Sequence, residues 1–100
     1  MKLLKVIPSD RKEKKLMAIF CMCKGESCCD TKKKVHFGAS GMDDYTKTKD
    51  KEQRERYRAR HATGRTAKPD TPNALAYWLL WGDSTNLQTN IKNFKIKYNL

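Results

Sequence analysis

Hydrophobic and polar positions change rhythm twice along this chain of 100 residues. Leu3, Leu4, Val6 and Ile7 gather in a short apolar run closed by Pro8, which predicts a first strand. A charged connector, Ser9 to Lys15, leads into Leu16 to Cys23, an apolar run of strand length. Lys24-Gly25-Glu26-Ser27 carries the glycine that tight turns favour. Val35 and Phe37 then alternate with Lys34 and His36, the period-two signature of a half-buried strand. Residues 31–37 are therefore expected to pair back as the second arm of a hairpin. Gly38, Ser40 and Gly41 break that strand.

From Asp50 onward the rhythm becomes helical, and three helices are expected. Asp50 is an N-cap residue for a helix over about residues 50–62, rich in good helix formers and ended by Thr63-Gly64. Thr71-Pro72 pairs a capping residue with proline at the first helical position, so a second helix runs through NALAYWLLW to Gly82. The third begins at Ser84 or Thr85 and reaches Tyr98. In it Leu87, Ile91, Phe94 and Tyr98 fall on one stripe, with Lys92, Lys95 and Lys97 largely off it. The stretch 63–70 is polar and is expected to be a mobile link. The predicted fold class is α+β: an antiparallel hairpin or three-stranded sheet followed by three helices, in one domain spanning residues 1–100. The second helix is its central element, surrounded by Phe20, Val35, Phe37, Tyr57, Trp78 and Phe94.

Charge changes the picture most. Lys and Arg number 22 against 11 Asp and Glu, a net charge of +11. That excess opposes compaction and attracts polyanions, or else serves only to keep a small protein soluble. No run of about 18 apolar residues exists for a membrane span. The N-terminal apolar stretch, interrupted by Lys5, is shorter than the roughly 7–15 residues of a signal peptide core, so an intracellular or virion-internal protein is expected. Within the first helix Lys51, Arg54, Arg58 and His61 share one face of a helical wheel, and Arg56 and Arg60 another. Glu52 and Glu55 lie between them and neutralise part of the charge. The remaining surplus suits phosphate or carboxylate, because the guanidinium fork contacts both bidentately. The expected nucleic-acid contacts are Lys47, Lys49, Lys51, Arg54, Arg56, Arg58, Arg60 and His61. Such contacts would position the protein without reading base sequence. A solvated helix with internal ion pairs is the bland alternative. Tyr57 and Trp81 are the expected contacts to a protein partner, with Trp81 as an exposed anchor.

Other chemistry is thinly represented. Cys21, Cys23, Cys28 and Cys29 invite zinc, but on strands and at this spacing only three would converge easily. A disulfide, or free thiols filling a hairpin as small hydrophobes, are the competing readings. A Cys23–His36 pair has no distinguishing spacing. Asp43 and Asp44 form either a metal-binding pair or, more ordinarily, turn and cap residues. No catalytic residues, metal ligands or cofactor site are assigned.

Five short pieces, His36-Phe37-Gly38, Asp44-Tyr45-Thr46, Arg56-Tyr57, Arg60-His61 and Leu80-Trp81, give the chain a wider likeness. From Leu3 to Leu100 it resembles a group of small basic proteins of nucleocytoplasmic large DNA viruses, with chlorella-virus-like and marseillevirus-like members. The cysteine-rich hairpin departs from that pattern. The resemblance implies a setting, the virion or a viral factory in the host cytoplasm, and no activity. Two function classes follow. The first is a non-enzymatic basic protein binding nucleic acid, duplex DNA in the first instance, and serving genome condensation or packaging. The second is a minor capsid or virion structural protein whose arginines meet acidic capsid surfaces.

Overall fold

A computed structural model describes residues 1–21 and 32–100. Three antiparallel strands come first: β1 (Lys2–Pro8), β2 (Lys14–Cys21) and β3 (Lys32–Ala39), with β2 in the centre. Helices follow on one side of this sheet, so the α+β architecture is as the hydrophobic pattern predicts. The expected turn at Lys24–Ser27 lies outside the described residues.

The register decides which side chains face the helices. Leu3 pairs with Phe20, and Ala18 with both Val6 and Val35; Leu16 pairs with Phe37. These positions share the face that joins the core with Leu75, Leu79, Leu80, Trp81 and Phe94. Alternation along β1 is broken once, by a register shift between Leu3 and Lys5 that leaves Leu4 as an extra residue. Without that bulge Lys5 would point into the core beside Leu3. With it, Lys5 pairs with Ile19 on the opposite face.

Near the end of β3 lies Gly38, whose φ of +78° is costly for any residue with a Cβ. Crowding adds to this, since a Cβ there would come within 2.7 Å of Leu80 Cδ1. A one-turn helix, α1 (Tyr45–Thr48), was not evident from the sequence pattern; Asp44 caps it by accepting from the Thr46 amide. Helix α2 (Lys51–Arg60) starts at the expected cap, where Asp50 accepts from the amides of Glu52 and Gln53.

Residues 63–70, expected to be a mobile link, are instead tied down. Ala62–Arg65 form a 3-10 turn, and Asn73 Nδ2 donates to Thr63 Oγ1 at 2.9 Å. Gly64 is buried against Tyr77 and Asn73, and Asp70 pairs with Lys33 of β3 at 2.9 Å. That ion pair, chiefly through its hydrogen bond, holds the Asp70 carboxyl below its ordinary value. The signal that the pattern lacked was long-range: each anchor lies on an element distant in sequence.

Helix α3 begins at Pro72 under a Thr71 cap and continues from Ala76 to Leu80 as a π turn, with the Trp81 amide bonding back to Ala76 O at 3.1 Å. This helix is the core element, as expected, with Leu75 and Leu79 fully buried. Gly82 follows where a Cβ would lie only 2.2 Å from Trp78 O. Helix α4 spans Leu87–Tyr98 and is capped by Asn86, slightly later than Ser84 or Thr85. Its predicted stripe packs as anticipated, Phe94 deepest. Buried Asn90 secures the intervening loop, donating to Leu79 O and Ser84 O and accepting from the Ser84 amide.

Candidate nucleic-acid interface

Helix α2 carries its arginines in two roles. Arg58 Nε donates to Trp81 O at 2.8 Å, and its outer nitrogen meets Asp83 at 3.0 Å. Arg54 reaches Gly82 O and Asp83 O at 3.4 Å, pairs with neighbouring Glu55, and lies 4.8 Å from the Tyr45 ring centroid. Both side chains are mostly covered. They cap carbonyls where the α3 π turn ends, groups that would otherwise lack donors. Arg54 and Arg58, expected from the sequence to contact phosphate, are turned inward by the structure instead. That inward turn has a physical reason, because a long side chain can bury its stem and still bring its charge to a carbonyl.

The other expected contacts remain outside. Lys47, Lys49, Lys51, Arg56 and Arg60 are exposed, as are Arg65 and Lys68 in the following segment. Lys49 is held at φ +58° as the C-cap of α1, which separates it from the α2 cap.

Tyr57 stacks between two rings. His61 lies on one side at 4.0 Å and Trp81 on the other at 4.4 Å, both nearly parallel to it. Burial pushes the Tyr57 phenol up, and the Arg60 charge partly opposes this. His61 is exposed at the outer end of the stack, while its Nδ1 bonds to Tyr57 O at 3.1 Å. Trp81 is only 6 % exposed. The expectation of an exposed Trp81 anchor for a partner is therefore corrected: stacking on Tyr57 and packing against the core cover it. Tyr57, half-buried between its neighbours, likewise offers no free ring face.

A cleft of about 730 Å³ opens beside this stack, with Arg60, Gln53 and Asp43 at its lining. Inside, Asp44 and Lys15 form an ion pair at 2.6 Å, and the Thr46 hydroxyl also donates to Asp44. Asp44 is therefore a structural cap and ion-pair partner, and it does not act with Asp43 as a paired site. An open His61 ring face beside a guanidinium is an arrangement that can take an unstacked base.

Among the described residues no group of three or more His, Cys, Asp or Glu is placed to hold a metal. Cys21 is buried, and Cys23, Cys28 and Cys29 lie outside the described residues, with the zinc, disulfide and Cys–His readings that depend on them. His36 bonds to Ser9 Oγ through Nδ1 at 2.7 Å.

A second basic surface lies outside the expected contacts: Lys2, Lys5, Lys32 and Lys34, all exposed on the sheet. Lys32 and Lys34 did carry a signal, spaced two apart within the strand. Lys5 did not, because simple alternation assigns it to the opposite face from Lys2.

A family model matches residues 4–61, more than half of the chain, from Leu4 in β1 to the end of α2 and His61. The chain belongs to that family. It is a family of unknown function (DUF5754), and the match ends at His61, the outer ring of the stack. No curated protein and no solved structure matches the chain significantly.

Proposed function

We infer that this DUF5754 protein is a non-enzymatic nucleic-acid-binding protein that engages the phosphate backbone, within the viral setting that the resemblance implies. One observation carries this reading. Between residues 45 and 68, seven of nine Lys and Arg side chains are exposed, against three carboxylates. Glu55 is engaged by Arg54, and Asp50 by the α2 amides. The surplus is thus available to a polyanion, with Arg56 and Arg60 supplying forks and Lys47, Lys49 and Lys51 extending the track. The capsid-partner reading is weaker, because its aromatic anchor is covered.

The test is fluorescence anisotropy with short duplex DNA across a salt series. Each neutralised phosphate releases counterions, so a protein losing Arg56 and Arg60 should show a slope in log K against log salt smaller by about 2. An unchanged slope would remove these residues from the interface. No measurable binding at low salt would end the nucleic-acid reading itself.

A further inference from the structure

The sheet has a second face, and the register shows what stands on it. Lys2 and Lys32 flank Cys21 of the central strand, and Lys5 and Lys34 flank Ile19. A third row holds Ile7, Met17 and His36. Neighbouring strands are about 4.8 Å apart and alternate residues about 7 Å apart along a strand. The four lysines therefore root at the corners of a frame about 10 by 7 Å, with buried Ile19 and Cys21 between them.

Lys33 tests this geometry. Its position pairs with Phe20, on the helix-facing side, and there it meets Asp70. Lys32 and Lys34, one residue away on either side, have no ion-pair partner among the described residues, nor do Lys2 and Lys5. No Asp or Glu occupies any of the nine positions in the three rows. Lysine stems can lie along apolar Ile19 and Met17 while their ammonium groups stay in water. The bulge at Leu4 is what completes the frame, by turning Lys5 outward.

We propose that this lysine frame is a second phosphate-backbone surface, so that one molecule bridges two segments of nucleic acid. The inference rests on the reading that the helix-side cations bind nucleic acid. The core and its helices lie on the other side of the sheet, so a duplex on the frame leaves the helix-side track free for another. Charge complementarity selects the occupant: four exposed lysines with no ion-pair partner among the described residues suit a phosphodiester backbone and carry no base-reading geometry. Bridging requires each surface separately, and each can fail separately.

The experiment mixes donor-labelled and acceptor-labelled short duplexes with protein and reads energy transfer, with anisotropy on a single duplex in parallel. Three variants are compared: K2Q/K5Q/K32Q/K34Q, the same four positions changed to Arg, and K49Q/K51Q/R56Q/R60Q. Circular dichroism checks that each folds, and the pair K5Q/K34Q serves if the fourfold Gln variant does not. Wild type is expected to bind and bridge. The sheet Gln variant should still bind a single duplex, with bridging reduced at least about tenfold, and the Arg variant should restore it. The helix-side variant should likewise bind singly without bridging. If the sheet Gln variant bridges like wild type, or wild type binds without bridging, this inference is overturned while the binding reading stands. If wild type binds no duplex, both fall.

Discussion

Arg58 and Arg60 are two residues apart on α2 and belong to different parts of the molecule. Arg58 donates inward to Trp81 O; Arg60 is exposed at the lip of the cleft. Removing a charged donor from a covered carbonyl costs about 1.5–3 kcal/mol. Arg58→Ala is therefore expected to lower stability by about 2 kcal/mol in urea unfolding, and Arg60→Ala to leave it nearly unchanged. On the proposed function the converse is expected of DNA affinity, with Arg60→Ala weakening binding and Arg58→Ala doing so only through unfolding. Equal stability losses for the two variants would refute the division. Asp70 gives a residue-scale effect of pH. Its folded pKa is depressed by Lys33, so it binds its proton less readily when folded than when unfolded. The stabilisation is present above the unfolded carboxylate value near 3.9, and is lost as pH falls through the lower folded value. Lys33→Gln should accordingly reduce stability at neutral pH, with the gap to wild type closing in acid melts below that range.

Between elements, two buried polar side chains, Asp44 and Asn90, hold junctions together. Asn90 makes three hydrogen bonds that join α4 to the end of α3, and its loss would strand the Leu79 carbonyl and the Ser84 amide. Asn90→Ala should cost about 2–3 kcal/mol, read as a lowered urea midpoint with an unchanged slope. Lys15 on β2 similarly neutralises Asp44, which starts α1. Lys15→Met leaves a buried carboxylate without its cation and should cost about 3–5 kcal/mol, whereas Lys15→Met with Asp44→Asn should recover much of that loss. These junctions mark the boundary of what the sequence shows. Strands, the Asp50 and Thr71 caps and the α4 stripe were legible because each is encoded within one element by spacing and local hydrogen bonding. Asp44 was legible as a cap, but its ion pair with Lys15 and the inward bond of Arg58 were not, because those partners lie 29 and 23 residues away. Trp81 looked like an anchor for the same reason: only the returning α2 brings Tyr57 over it. The outward turn of Lys5 depends on a single extra residue, Leu4, which no periodicity announces.

For the molecule as a whole, the charge that invites a polyanion also strains the fold. The net charge of +11 is carried by a chain of 100 residues. The sheet frame carries four of those charges on positions rooted about 7–12 Å apart, with no carboxylate at the positions between them. At about 0.01 M salt the screening length is near 30 Å, so all four repel one another; near 1 M it is about 3 Å, and they scarcely interact. A surface selected only for solubility would not need this local repulsion, whereas a phosphate-binding surface does, since the ligand supplies the missing counter-charge. The K2Q/K5Q/K32Q/K34Q variant should therefore melt above wild type at about 0.01 M salt and converge with it toward 1 M. Duplex DNA should raise the melting temperature of wild type more than that of the variant, because only wild type has the frame repulsion to relieve. Thermal melts of both proteins across salt, with and without DNA, check each step. A variant less stable than wild type at low salt would mean that the lysine stems contribute more by packing over Ile19 and Met17 than their charges cost.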